Sequence, residues 1–216
     1  MDKQRMTVLY RRWCHLLKEG GATCEPKAPF EALLRAYGEP HRRFHVIDHI
    51  ADCLDEFWPV RHMAEIPVAV GLGLFFHDKR YVIGRDDNEL KSGYDLFEFC
   101  INNGMTDFAA PGYDDVVATD HKQPRYHHTP DQTLTVDIDL SSLGKPPADF
   151  DRGSAFVQKE YEIIPDDQFY RGALEIFRTL ASHDPLYRTE HFRRKYEQQA
   201  QENIKRYISF LEAATK

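Results

Sequence analysis

The stretch from Gly38 to Tyr81 opens GEPHRRFHVIDHI and closes LFFHDKRY. Its first half carries His41, His45 and His49 at four-residue spacing, and its second half carries the adjacent pair His77-Asp78. Four-residue spacing stacks side chains on one helix face, and imidazole and carboxylate groups are the ordinary ligands of divalent transition metals. Joined by one of the later aspartates, His49, His77 and Asp78 would make a site of two imidazoles and two carboxylates. That intermediate hardness suits manganese, iron, cobalt, nickel or zinc better than calcium. An ion of this kind brings the pKa of a coordinated water towards neutrality and supplies hydroxide to attack phosphorus. His45, one turn before His49, is then placed to protonate a departing oxygen, a role that an ordinary pKa of about 6.5 suits. The bland alternative is a polar helix surface, since among eleven histidines some four-residue pair arises by chance.

The elements that must position these groups can be read from periodicity. Pro40 suits a first helical turn and Pro59 a stop, which predicts a helix over 40–58 with Ile47, Ile50, Ala51, Leu54, Phe57 and Trp58 as its apolar stripe. His41, His45 and His49 fall on the opposite face, so the helix must be covered on both sides with the histidines facing a cavity. Ile66 to Phe76 is apolar around its whole circumference, which predicts burial, and Pro67 sits where a helix can start. Gly71 and Gly73 each cost a helix about 1 kcal/mol relative to Ala, so a buried strand stays open by pattern alone.

Further on, Asp86 with Glu89 has the form of a capping box ahead of Leu90, Tyr94, Phe97 and Ile101 at helical spacing, and residues 111–122 predict a short helix ending near Asp120-His121. The string TLTVDIDLSSLG fits a strand or a helix. As a strand it puts Asp137 and Asp139 on one face; as a helix it turns them about 160° apart, and only one can meet a given metal. Two helices separated by Gly20-Gly21 are predicted over 1–38, and helices over 148–163, 166–182 and from about 188 onward. Without a linker or repeat, residues 1–216 read as one domain.

Composition narrows the partners. A net charge of −7 argues against a nucleic-acid scaffold, whose affinity rests on Lys and Arg neutralising phosphates, yet leaves room for one small anion. Arg42, Arg43, Lys79, Arg80, Arg85, Lys122 and Arg125 all flank the proposed site. Cys14, Cys24, Cys53 and Cys100 lack CxxC pairing, and neither a leader nor a membrane-spanning run stands out, so a reduced cytoplasmic setting with buried or idle thiols is expected. His15, His62, His127, His128, His183 and His191 are assigned to surface or ordinary packing.

The order His49, His77-Asp78, Asp139 resembles the H…HD…D signature of the HD superfamily of metal-dependent phosphohydrolases. More narrowly, RRFHVIDHI, FFHDKRY, DNELKSG, Thr119 to His121, DIDLSSLG, Glu160-Tyr161 and Ala200 to Asn203 resemble a branch of predicted HD phosphohydrolases, some of which carry a misleading glutamate-receptor label. The likeness runs from about Arg11 to Tyr207. It implies an all-α HD-domain helical bundle, which overrules both strand readings and makes Asp139, rather than Asp137, the last ligand beside His49, His77 and Asp78. Similarity to the HxxxH helix of cyclic-nucleotide phosphodiesterases makes His45 the acid and His49 a ligand. Glu89 and His121 would orient water or phosphate or hold a second ion, and Arg42, Lys79 and Asn88 would contact substrate. The chain departs from its relatives at Lys79-Arg80, at Gln158-Lys159 and at Gly93.

The resemblance thus implies a phosphohydrolase that cleaves a small phosphorylated molecule, such as a nucleotide, with a divalent cation (manganese, nickel, cobalt, iron, zinc or magnesium) and a metal-activated water. It acts on no membrane, and an oligomer is left open. The rival readings are a diiron HD-type oxygenase and a ligand-binding HD module without turnover.

Overall fold

A computed structural model of the protein describes residues 1–121 and 129–216. Lys122, Arg125, His127 and His128 therefore lie outside the described residues. The described chain is an all-α bundle without strands. Its helices are α1 (Lys3–Glu19), α2 (Lys27–Tyr37), α3 (Ile47–Val60), α4 (Pro67–Phe76), α5 (Asn88–Asn102), α6 (Ala109–Val117), α7 (Pro130–Asp139), α8 (Pro147–Glu160), α9 (Asp166–Ala181) and α10 (Glu190–Ala214). A 3₁₀ segment, Leu140–Gly144, continues α7. Among these described residues no helix is long and apolar enough to cross a membrane, and all four cysteines are free.

Helix α4 is the axis of the bundle. Every residue from Val68 to Phe76 is buried, and the helix packs against α1, α3, α5, α6 and α7. The two glycines that made a strand conceivable are what let the neighbours approach. A Cβ on Gly71 would stand 2.7 Å from the Leu16 side chain of α1, and one on Gly73 would stand 3.3 Å from the Asp115 Cβ of α6. Close packing on both sides offsets their lower helix propensity. Asp131, near the start of α7, accepts from the backbone N–H groups of Glu65 and Ile66 and so ties the entry to α4 to a helix far along the chain. The start of α7 is itself fixed by a capping box between Thr129 and Gln132.

Several predicted boundaries move, each for a local reason. Helix α3 begins at Ile47, not at residue 40, so His41 and His45 precede it and the three histidines do not share a helix face. The backbone N–H groups of Arg43, Phe44 and His45 turn instead onto one oxygen of Glu160, at 2.7, 2.8 and 2.9 Å. Three charge-assisted bonds to a buried carboxylate outweigh one turn of helix in which those donors would be poorly satisfied. Pro59 lies inside the last turn of α3, which continues to the buried Val60. The Asp86 and Glu89 capping box does not form: Asp87 occupies the cap position without a side-chain bond to the helix and pairs with Arg85 and Lys91. The apolar series on α5 faces outward, Leu90 and Tyr94 being 41% and 55% exposed, because the inner face carries Ser92 and Gly93. A Cβ at Gly93 would stand 2.9 Å from the Tyr113 ring of α6.

Candidate metal centre

Three helices deliver the predicted ligands to one point. The first turn of α3 carries His49; α4, apolar throughout, ends inside the protein and presents His77 and Asp78 at its C-terminus; α7 presents Asp139 at its own C-terminal residue. Two helix C-termini therefore face this point, and their negative dipole ends favour a cation.

The donor atoms crowd together. His49 Nε2 and His77 Nε2 stand 3.2 Å apart. Asp78 Oδ2 is 3.1 Å from His77 Nε2 and 3.5 Å from His49 Nε2. Asp139 Oδ1 is 3.2 Å from His49 Nε2 and 3.4 Å from His77 Nε2. Two ligands on one ion with bonds of about 2.1 Å lie about 3.0 Å apart at a right angle and about 3.4 Å apart at the tetrahedral angle. The observed separations run from 3.1 to 3.5 Å, close to that interval, so the donors are spaced much as a coordination shell is spaced.

His49, Cys53, His77 and Asp139 offer ligand atoms that all lie within 4.8 Å of one another, close enough to hold a metal ion. Cys53, expected as a buried or idle thiol, is buried and lies at the centre's edge, its Sγ 3.8 and 3.7 Å from the two ring nitrogens of His49. Its position four residues after His49 was the available signal. Burial raises the thiol pKa well above its ordinary value, and Asp139 and Asp78 push the same way.

The surrounding shell fixes which face each ligand shows. His77 Nδ1–H donates to the Leu74 carbonyl at 3.0 Å, which leaves Nε2 directed at the centre. His121 Nε2 meets the outer oxygen of Asp139, Oδ2, at 2.9 Å and leaves Oδ1 for the centre; its Nδ1 is buried and has no partner among the described residues. Burial works against the charges here, but proximity of opposite signs wins. Asp78 is held below the usual carboxylate range by His77 and His45, Asp139 well below it by His77 and His121, and His77 well above the usual imidazole value by Asp78 and Asp139.

His45 stands beside the centre rather than in it, its ring 6.1 Å from that of His49. Its Nδ1–H donates to Glu160 Oε2 at 2.6 Å, and its ring stacks on Tyr81 at 4.2 Å. Burial opposes the imidazolium, yet Asp78 and Glu160 outweigh it and raise the His45 pKa. The Glu160 carboxyl, burial notwithstanding, is brought down to about 2 by His45 and the backbone donors. Nothing local in the sequence connects Glu160 to His45 across so long a separation.

The substrate contacts expected from sequence divide. Asn88, Glu89 and His121 line the cleft that opens beside the centre, although the Asn88 amide is engaged with both backbone groups of Val82 at 3.0 Å. Arg42 and Lys79 are off its wall. The Arg42 side chain is 0% exposed, and its guanidinium is filled by Glu39 and by the carbonyls of His45, Asp78 and Lys79. It braces the His45 turn against the His77-Asp78 turn and has no donor left for a ligand. Lys79 pairs with Asp95 at 2.7 Å. Arg43 and Arg85 are the flanking cations that do reach the cleft. His41 bonds the Tyr81 carbonyl. Asp137, the second choice for the last ligand, points away from the centre, to the backbone of Arg188 and Thr189.

No family model, no curated protein and no solved structure matches the chain.

Proposed function

We propose that the chain is a metal-dependent phosphohydrolase of the HD type acting on a small phosphate ester, with His49, His77, Asp78 and Asp139 as ligands. The observation that carries the reading is the coordination-like spacing of those four donors within a shell that fixes the tautomer of His77. The donor set is nitrogen and oxygen with one sulfur at its edge, which fits manganese, iron, cobalt, nickel or zinc. Such an ion supplies polarisation of a phosphoryl oxygen and a water acidic enough to react near neutral pH.

The chain's own residues do the rest. His45, its pKa raised by Asp78 and Glu160 against the effect of burial, keeps Nδ1–H on the Glu160 carboxylate and so turns Nε2 outward, where it would protonate the departing oxygen. His121 holds Asp139 in place. Arg43 adds positive charge to the wall that meets the phosphate, while the charge of Arg85 is matched by Asp87.

Replacing Asp78 by Ala tests this. Bound metal, measured by elemental analysis, and phosphate release from a panel of phosphomonoesters and nucleotides with Mn²⁺ should both collapse; unchanged metal content with unchanged turnover rules the site out. One observation favours a second reading. His121 Nε2 stands 2.9 Å from the far oxygen of Asp139, so these two side chains would be the residues to hold a second ion, as a diiron oxygenase requires. Two irons per chain with O₂ consumption would select it.

A further inference from the structure

We infer that the substrate is amphiphilic: an anionic group bearing an alkyl or aryl body that lies in the half of the cleft bounded by α8 and α9. This rests on the reading of the centre as a site for an anionic group. The cleft measures about 1190 Å³, beyond the ~1,000 Å³ that bounds most small-ligand sites, and a phosphate held at the ligands occupies one end of it. Its walls change character along its length. Around His49 they are imidazole and carboxylate, whereas farther out α8 contributes Phe150 and Val157 and α9 contributes Phe169 and Phe177.

Phe44 joins the two halves. Its ring lies 5.1 Å from that of His49 and 5.0 Å from that of His45, while a Cβ on Gly153 of α8 would stand 3.1 Å from it. The apolar wall therefore starts at the centre itself and is not a separate void. Charge on that wall is internally cancelled, since Arg152 and Asp149 bond each other at 2.6 Å. Phe156 and Ile176 line the same cleft yet remain 43% and 38% exposed. Apolar side chains left wet beside a polar catalytic end are covered at low cost by a hydrocarbon body.

The test is calorimetry of ethyl, butyl, hexyl and octyl phosphate binding to the full chain loaded with Mn²⁺, with phosphate release followed in parallel. Affinity should rise roughly three- to fourfold per methylene. Ala173→Trp, on the half-buried cleft wall of α9, should abolish the gain from the longer chains and leave ethyl phosphate binding as it was. Val157→Asn, which changes polarity and not bulk, should flatten the slope as well. An affinity independent of chain length, or a slope that neither variant alters, overturns the inference; should Ala173→Trp fail to fold, the wild-type slope and Val157→Asn still decide it. Chain-length-dependent binding without phosphate release would sink the hydrolase reading and keep the amphiphile. Hydrolysis of ethyl phosphate and nucleotides with a flat profile would do the reverse.

Discussion

Asp137 and Asp139 leave the last turn of α7 two residues apart, and the rotation of the helix sends them to opposite sides of it. Asp137 turns towards the start of α10, where the backbone N–H groups of Arg188 and Thr189 and the Thr189 hydroxyl converge on it at 3.1, 2.7 and 2.7 Å. Asp139 turns towards α3 and α4 and meets three imidazoles, those of His49, His77 and His121. The first carboxylate accepts from neutral donors at the start of α10, and it builds the fold. The second is held on its outer oxygen by His121 and turns its inner oxygen to the ring nitrogens of His49 and His77, and it builds a site. Identical chemistry in the same short string is sorted by what the neighbouring elements present to it.

The sharpest way to break this contrast is Asp139→Ala. Loss of an outer partner costs about 10- to 100-fold in metal affinity, and loss of a ligand should exceed that while the thermal midpoint of the metal-free protein stays within a few degrees; competition with a chromogenic chelator measures the first and calorimetry the second.

Glu160 refines the comparison because it does both jobs, clasping a turn and steering His45. Its folded pKa of about 2 lies below the ordinary carboxylate value, so its contribution to stability is fully present above about pH 4.5 and disappears as pH falls through 2. That contribution is on the order of 3 kcal/mol. Acid titrations of urea unfolding should show it in the wild type and not in Glu160→Gln, whose stability should vary less across that window.

Asp137→Ala should give the mirror image of Asp139→Ala: a loss of about 2–4 kcal/mol from unsatisfied backbone donors, or roughly 5–10 °C in a chain of this size, with metal stoichiometry per folded molecule unchanged. If metal is lost in proportion to stability in both variants, the division of labour is wrong. His121→Ala should weaken metal binding by about 10-fold, the lower end for an orienting partner. Lys79→Ala should change KM for any phosphate ester less than about twofold, since its ammonium is held by Asp95 off the cleft wall and such surface pairs are worth little.

How far these roles can be read from the chain depends on how local their causes are. The burial of Val68 to Phe76 is visible as an unbroken apolar run, and the helix at Asp166–Ala181 as simple periodicity. The outward face of α5 is not, because Leu90, Tyr94, Phe97 and Ile101 form as good a stripe as any core helix has; the small Ser92 and Gly93 win the inner face through the closeness of α6. The start of α3 is lost for the same kind of reason. His41, His45 and His49 have helical spacing, but an acceptor on Glu160 bends their backbone out of the helix. Arg42 reads as a substrate contact until three backbone carbonyls from two turns fill its guanidinium.

The sequence alone marked a buried apolar element ending in His77-Asp78 and a group of His49, His77, Asp78 and a later aspartate worth bringing together, because periodicity and side-chain chemistry are properties of the chain; the all-α class and the choice of Asp139 were expected from a family resemblance. Which aspartate turns inward, that Cys53 stands at the centre's edge, and that Glu160 commands His45 were decided only when distant helices packed. Hydrogen bonds and ion pairs form between whatever groups the fold places within reach, and reach is a property of the tertiary structure.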